Sequence, residues 1–439
     1  MGFLVSVTGC DKLLDVSPVD DIDSRFVYSS LDNFEKGVLG IYGSFTPENS
    51  ILIGSIMADE CKLSSQNRGI DAYGDLINKW EYTSADDILL QTWKKYYYTI
   101  FSINSLLENV DKVPVASNQQ KSKLNSLVSE LYALRALVHF ELHRNFGNSD
   151  ADDQDTGLTI PYTVDTHVDK MPNKITLANF YKMLWQDLDK SLNIENAVDF
   201  RLSKNAVHSL AARVALYQKD YSKAVWESTE VINAVPLSDA DHFSEIWGDH
   251  YSSEVIFRVK RNNQDKIRPN FLWNDLSGGI KRFHASSKLV HQYGTGDVRS
   301  SSFFVIDGGE YNINKYPGNA LGKNINDVKY FRVSEMYLIR AEANLNLGNI
   351  AQSLGDINQL RRNRISGVEP LGTVDIHTIL RERFMELCYE GHRYFDLKRL
   401  KLPVQREKAD VLEGERTRLG ADDNAYILPV PYSEIAPLS

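Results

Sequence analysis

The chain has few cysteines, no long hydrophobic run and no excess of positive charge, and each shortage excludes a class of protein. Its three cysteines are scattered over 439 residues, too few for a disulfide framework or a thiolate metal cage. No run approaches the roughly 20 apolar residues that a membrane-spanning helix needs. The net charge of −10 argues against nucleic acid as the main partner.

The sequence also lacks the short motifs of common enzyme families. It contains no G-x-S-x-G, no H-E-x-x-H, no Walker loop and no C-x-x-C pair. The absence of these motifs does not exclude a glycosidase, because its two catalytic carboxylates need only be close in space. The acidic stretch 150–157 lacks the ligand spacing of an EF-hand and is expected to be a solvated turn. We therefore predict a protein that is not an enzyme, with no cofactor and no metal.

What the sequence does contain is helical periodicity, clearest between Lys329 and Arg364. The spacing of its apolar residues predicts two helices, each with one apolar face. Gly348 and Asn349 separate the two helices, since both residues tolerate the backbone that ends a helix. Neither helix could bury its apolar face alone. This stretch therefore predicts a helix-pair repeat unit.

A similar unit starts at about residue 204. Small and large residues from Ala212 to Pro236 follow the spacing of a tetratricopeptide helix pair, and Ala341 to Ser353 repeat the same offsets. Further helices are predicted at 31–45, 90–111, 119–146, 176–192 and 379–390. The predicted fold is mainly α, a discontinuous tetratricopeptide-like scaffold of about four helix pairs.

The composition and the periodicity of the sequence change between residues 237 and 328. Glycine, asparagine and scattered aromatic residues are frequent there, and helical periodicity is lost. We predict a loop-rich insertion with short strands such as Val255 to Val259, and loops of this kind often carry function. The predicted organisation is a leader at 1–10, a helical region at 11–236, a ligand-facing insertion at 237–328 and a C-terminal helical region at 329–439, with 237–439 and 11–236 forming one compact fold.

The first ten residues resemble the end of a bacterial lipoprotein signal. An apolar run leads to Val7-Thr8-Gly9-Cys10, which is similar to the lipobox in which the cysteine is lipidated. The run is short and lacks a basic segment, which suggests either a start codon misplaced downstream or an accidental match. If Cys10 is lipidated, the protein is anchored to a membrane without spanning it.

Two stretches stand out as motifs, one from Arg332 to Ala343 and one from Glu386 to Arg399. They are the strongest of several that resemble the SusD/RagB family, and the segment from Leu428 to Ile435 is similar to the end of the family's sequences. Further agreement spans nearly the whole chain: Cys10, Leu14-Asp15, Pro18, Trp93 to Asn104, Arg135-Ala136, Phe146-Gly147, Ile160-Pro161 and Gly296 to Arg299.

The resemblance implies a lipid-anchored protein on the surface of a Gram-negative outer membrane. Such proteins cover a SusC-like TonB-dependent β-barrel transporter, capture glycans or, in some branches, peptides, and deliver them without catalysis. Neighbouring genes would indicate which ligand applies. An alternative from a different class is a soluble helical-repeat scaffold that binds another protein, although it explains neither Cys10 nor the insertion.

A glycan site is expected to combine aromatic rings, which stack on the C–H faces of sugars, with polar groups for the hydroxyls. The alternative for each aromatic residue is a place in the core. The charged residues of the family signatures are instead expected to form internal ion pairs. The candidates are Asn67, Arg68, Tyr73 and Trp80 in the first loop region, and Trp273, Asn274 and Tyr293 in the insertion.

Overall fold

Side chains that cap the first turn fix where the main helices begin. In the computed structural model, Ser30, Ser117, Thr176 and Ser203 each accept a hydrogen bond from a backbone N–H of the helix that follows, which satisfies a donor that the helix itself leaves unpaired. The helices are α1 Ser24–Val27, α2 Leu31–Ser44, α3 Glu48–Ile56, α4 Asp75–Lys79, α5 Asp87–Glu108, α6 Asn118–Phe146, α7 Leu177–Lys190, α8 Lys204–Tyr217, α9 Tyr221–Ala234, α10 Ala240–Trp247, α11 Pro269–Trp273, α12 Ser287–Val290, α13 Val298–Phe303, α14 Val333–Asn346, α15 Ile350–Arg362, α16 Ile376–Glu386 and α17 Arg393–Arg399.

The structure describes residues 24–67, 72–147, 157–167, 173–275 and 279–431. The predicted signal segment with Cys10, the residues 150–156 of the acidic turn, and most of the closing segment lie outside these ranges. Within them, no helix is long and apolar enough to cross a membrane.

Antiparallel helix pairs build the scaffold, as predicted. α2 packs on α5, α6 on α7, α8 on α9 and α14 on α15, and α14 also packs on α9 and α16. These contacts confirm the mainly helical, tetratricopeptide-like fold of about four pairs. One large hydrophobic core runs through the described chain, and a smaller one lies between α14, α15 and α16.

The strands are short and hold the loops against the scaffold. A four-stranded sheet has the order β1-β7-β9-β8, β4 pairs with β10, and three two-stranded ladders join β2 with β3, β5 with β6 and β11 with β12, all antiparallel. The strands are β1 Cys61–Leu63, β2 Leu158–Thr159, β3 Ile175–Thr176, β4 Val255–Val259, β5 Asn274–Asp275, β6 Ile280–Lys281, β7 Phe283–Ala285, β8 Phe304–Asp307, β9 Glu310–Ile313, β10 Val328–Arg332, β11 Val404–Gln405 and β12 Arg418–Leu419.

Two predictions about these elements need correction. The stretch that begins at Lys329 is not helical at its start, because β10 pairs with β4 and the helix begins only at Val333. The insertion contains more helix than predicted. For example, α10 begins directly after Asp239, whose side chain accepts a hydrogen bond from the His242 N–H. The strand at Val255–Val259 is confirmed. The boundaries at 236 and 328 stay predictions.

Candidate functional site

Two of the predicted loop regions meet at a cleft of about 630 Å³. We call it the Tyr73 cleft. It lies between the loop before α4, the short helix α11, the β5–β6 hairpin and the segment before β10. Its lining residues are Tyr73, Lys266, Ile267, Phe271, Leu272, Asn274, Asp275, Arg282 and Asn324.

Asn67 supports one wall of the cleft through the backbone of Tyr73. Its carboxamide nitrogen donates to the Tyr73 carbonyl at 2.9 Å, and its oxygen accepts from the Tyr73 N–H at 3.0 Å. Asn67 is itself buried. The prediction that Asn67 contacts ligand is therefore better replaced by a supporting role, in which it fixes the backbone that carries the Tyr73 ring.

Arg282 joins the two walls. Its backbone N–H donates to the Trp273 carbonyl at 2.8 Å, and its guanidinium donates to the Phe271 carbonyl. The same guanidinium lies 4.4 Å from the centre of the Tyr73 ring, a favourable cation–π distance. Burial raises the pKa of the Tyr73 hydroxyl, so this group stays neutral and can both donate and accept.

The lining of the cleft is mixed in a way that suits a polyhydroxylated ligand. Tyr73 and Phe271 are half-buried rings. Asn274 is 4% exposed, and its amide oxygen has no hydrogen-bond partner among the described residues. Since a buried amide oxygen is costly to leave unpaired, it is ready to accept from a ligand hydroxyl. Asp275 and Arg282 add an acceptor and a donor at the rim.

Two predicted platform residues do not fit that role. Trp273 is 1% exposed and packs against Tyr389 with ring centres 5.2 Å apart. Trp80 is 4% exposed, and its indole N–H donates to the Met57 carbonyl at 2.9 Å. Neither ring can stack on a sugar while it is buried in the core. These two candidates are corrected to core residues.

The other candidates fall in different places. Tyr73 and Asn274 line the cleft, as described above. Tyr293 lies elsewhere, half-buried, with its hydroxyl donating to the Met385 carbonyl at 2.8 Å and its ring against Phe304. Arg68 and Cys10 lie outside the described residues. The structure thus brings Tyr73 and Asn274 together and leaves Tyr293 apart.

Sequence reasoning did not select Phe271, Arg282 and Lys266. Phe271 stands two residues before the chosen Trp273, and it is the one residue of α11 that is not buried. Arg282 and Lys266 carry no local signal, because Arg282 reaches the cleft through the pairing of β5 with β6 and Lys266 through the loop that precedes α11. Only the folded chain could have identified them.

The charged residues of the sequence signatures form ion pairs inside the scaffold, as predicted. Arg332 reaches Glu386 at 2.9 Å and Glu390 at 2.6 Å, and Arg213 reaches Glu335 at 2.7 Å. Although burial alone would raise the pKa of the Glu386 carboxyl, the surrounding arginines hold that pKa below its usual range. Further pairs join Arg399 to Glu342, Arg340 to Asp356, Arg393 to Asp59 and Arg383 to Asp396.

Two smaller cavities lie away from the Tyr73 cleft. One of 330 Å³ is lined by Lys288, Arg381 and Phe384 among others, and one of 490 Å³ by residues between Gly294 and Tyr311. No cluster of His, Cys, Asp or Glu in the described ranges could hold a metal ion.

Two family models match most of this chain. Residues 12–216 match the family described as starch-binding associating with outer membrane, and residues 309–437 match the SusD family. A SusD-like protein of Formosa agariphila is 21% identical over 91% of this chain and 90% of its own length. The starch-binding protein SusD of Bacteroides thetaiotaomicron is 26% identical over 53% of this chain and 40% of its own length.

Solved structures share the fold. A SusD superfamily protein from Bacteroides thetaiotaomicron superimposes with a TM-score of 0.83 at 23% identity, covering 92% of this chain and 97% of its own. A surface glycan-binding protein from Bacteroides fluxus gives a TM-score of 0.71 at 21% identity, covering 91% and 97%. At this identity the likeness establishes the architecture.

Proposed function

This chain belongs to the SusD family, and on that premise we propose that it binds glycans in the Tyr73 cleft without chemically changing them. The observation that carries the proposal is the lining itself. Two half-buried rings, an unpartnered amide oxygen and a charged donor and acceptor converge on one cavity. Aromatic faces and a few fixed polar groups are what a sugar ring requires.

The cellular role that we propose follows from the family. The protein would hold glycans at the outer-membrane surface and pass them to a SusC-like TonB-dependent β-barrel transporter, and lipidation at Cys10 would anchor it there. The family description of association with the outer membrane and the matching relatives support this role. Peptide capture, as in RagB-type proteins, is the alternative ligand class.

The test is calorimetry of a soluble form that starts after Cys10, against a panel of polysaccharides and a mixture of peptides. We expect heat from one glycan class, and we expect Tyr73→Ala and Phe271→Ala each to weaken that binding about tenfold, because each removes an aromatic ring that contacts the sugar. Trp226→Ala is the matched control, since Trp226 is 55% exposed on α9, a helix that contributes no residue to the cleft lining.

Three results would count against the proposal. Heat from peptides alone would assign the protein to peptide capture. Unchanged glycan affinity in both cleft variants would place the site elsewhere. Release of new reducing ends during incubation with the bound glycan would contradict the absence of catalysis.

A further inference from the structure

Cations outnumber carboxylates in the lining of the Tyr73 cleft, although the whole chain carries a net charge of −10. Lys266 and Arg282 belong to the lining, and Asp275 is the carboxylate among the lining residues. Arg282 and Asp275 partly offset each other at 3.6 Å. That leaves the lining with a surplus positive charge.

Two further cations stand at the edge of the cleft. The guanidinium of Arg268 lies 4.2 Å from the centre of the Phe271 ring, and Lys281 is the strand partner of Asn274 in the β5–β6 hairpin. Among the described residues, Lys266, Arg268 and Lys281 form no salt bridge. Asp265, which accepts from the Asn262 N–H at 2.6 Å, keeps its negative charge beside Lys266, so the four cations face two carboxylates, Asp265 and Asp275.

We infer that the glycan held in the Tyr73 cleft is acidic and carries carboxylate or sulfate groups. This inference rests on the proposed function. A neutral sugar would use these side chains only as ordinary hydrogen-bond donors, whereas an anionic group gains charge-assisted bonds about twice as strong. Arginine offers a planar fork that matches carboxylate and sulfate oxygens. The unpartnered Asn274 oxygen then accepts from a neighbouring hydroxyl.

The contrast with the rest of the surface makes the cluster informative. An acidic polymer is repelled by a protein of net negative charge, but salt screens that repulsion beyond about 8 Å at physiological ionic strength. Contact charges therefore decide binding. Four cations around one ring-lined cavity provide such a contact, and their charge would give no added advantage to an uncharged polysaccharide.

The test compares each polymer with its uncharged derivative. Pectate is paired with fully methyl-esterified pectin, which removes carboxylate charge from the same backbone, and carrageenan is paired with its desulfated form. We expect one of the two charged polymers to bind at least about tenfold tighter than its derivative. A difference within the pectate pair identifies carboxylate as the recognised group, and a difference within the carrageenan pair identifies sulfate. The affinity is expected to fall as salt rises from low to physiological concentration.

Variants assign the effect to the cleft. Lys266→Gln and Arg268→Gln are each expected to weaken binding of the charged polymer by about fivefold to tenfold, with little change for its uncharged derivative. Lys121→Gln removes the same charge from the exposed start of α6 and should leave both affinities unchanged. The two cleft variants remove no ion pair of the described chain, so they are expected to fold.

The outcomes separate this inference from the proposed function. Equal binding of charged and uncharged polymers, or selective binding of the uncharged ones, would overturn the acidic ligand while glycan binding stands. Loss of affinity in Lys121→Gln equal to that in Lys266→Gln would also overturn it, because the effect would then be one of net charge. No measurable binding to any glycan, neutral or acidic, would overturn both the acidic ligand and the proposed glycan binding.

Discussion

Two neighbouring residues of α11 show what a sequence can and cannot indicate about a binding site. Phe271 and Trp273 stand two positions apart, and each residue of a helix turns the chain by about 100°, so the two rings point to nearly opposite sides. Phe271 faces the cleft and Trp273 faces the core. The flanking asparagines are no guide to exposure here, because Asn270 and Asn274 are themselves buried. The choice of ring could not be made without knowing which side packs on α3.

Trp273→Ala should therefore act on stability. Removing a buried ring that contacts Tyr389 leaves a cavity, and we expect the free energy of unfolding to fall by about 3–5 kcal/mol in urea denaturation. Trp226→Ala is the control, since Trp226 is 55% exposed on α9, and it should change stability by less than about 0.5 kcal/mol. A Trp273→Ala protein as stable as the wild type would show that this ring is not part of the core.

A buried carboxyl predicts a pH effect on stability. Burial raises the pKa of Glu60 to about 8, while its carboxyl group accepts from the Tyr389 N–H at 3.1 Å. Between the pKa of an ordinary Glu, roughly 4.3, and 8, the unfolded chain loses this proton and the folded chain keeps it. The Glu60 contribution to stability is therefore lost as pH rises through that window, by at most about 1.4 kcal/mol per pH unit.

Glu60→Gln keeps the shape of the neutral carboxyl and cannot ionise. Urea unfolding at pH 5 and pH 8 should show a smaller fall in stability for this variant than for the wild type. Glu245→Gln, at an exposed position, should leave the fall unchanged. Equal falls in the wild type and Glu60→Gln would mean that Glu60 does not titrate in this range.

At the scale of elements, the sequence predicted the helices that have one apolar face. α7 and α15 lie close to their predicted positions because their buried residues recur at helical spacing. α3 was missed for the opposite reason. All nine of its residues are buried. The helix therefore has no polar face, and its sequence shows no hydrophobic periodicity from which a helix could be predicted.

Close backbone packing between α3 and the turn before α17 explains one glycine of the signature. Gly391 has a φ of +77°, and a Cβ there would lie 2.9 Å from the Ile51 Cα. Gly54 of α3 faces Gly391, and a Cβ at Gly54 would lie 2.8 Å from the Gly391 Cα. No side chain fits between these two segments. The glycine is therefore required by geometry.

Gly391→Ala is expected to lower the free energy of unfolding by about 2 kcal/mol or more, because the new methyl group meets backbone and φ is positive. Gly355→Ala on α15 is the matched control. A Cβ at Gly355 meets no atom within 4 Å, and alanine favours a helix over glycine by up to about 1 kcal/mol. Thermal unfolding of both variants would measure the difference, and a Gly391→Ala protein that melts like the wild type would contradict this account.

At the scale of the whole molecule, the family and the architecture could be predicted, and the cleft could not. Signature residues such as Arg332, Glu390 and Arg393 are internal ion-pair partners, so they identify the scaffold and say nothing of the ligand. The cleft takes Tyr73, Phe271, Arg282 and Asn324 from separate parts of the chain. Their meeting depends on long-range packing of loops, for which a single sequence carries no periodic signal.

The central claim is that a glycan occupies the Tyr73 cleft, and hydrogen exchange of the soluble protein with and without a bound glycan tests it most directly. We predict slower exchange of backbone amides in residues 72–79, 264–275 and 279–284 when the glycan is present. The amides of 287–292 and 376–386, which border the 330 Å³ cavity, should exchange at unchanged rates. Protection confined to that second cavity, with none at the Tyr73 cleft, would contradict the claim.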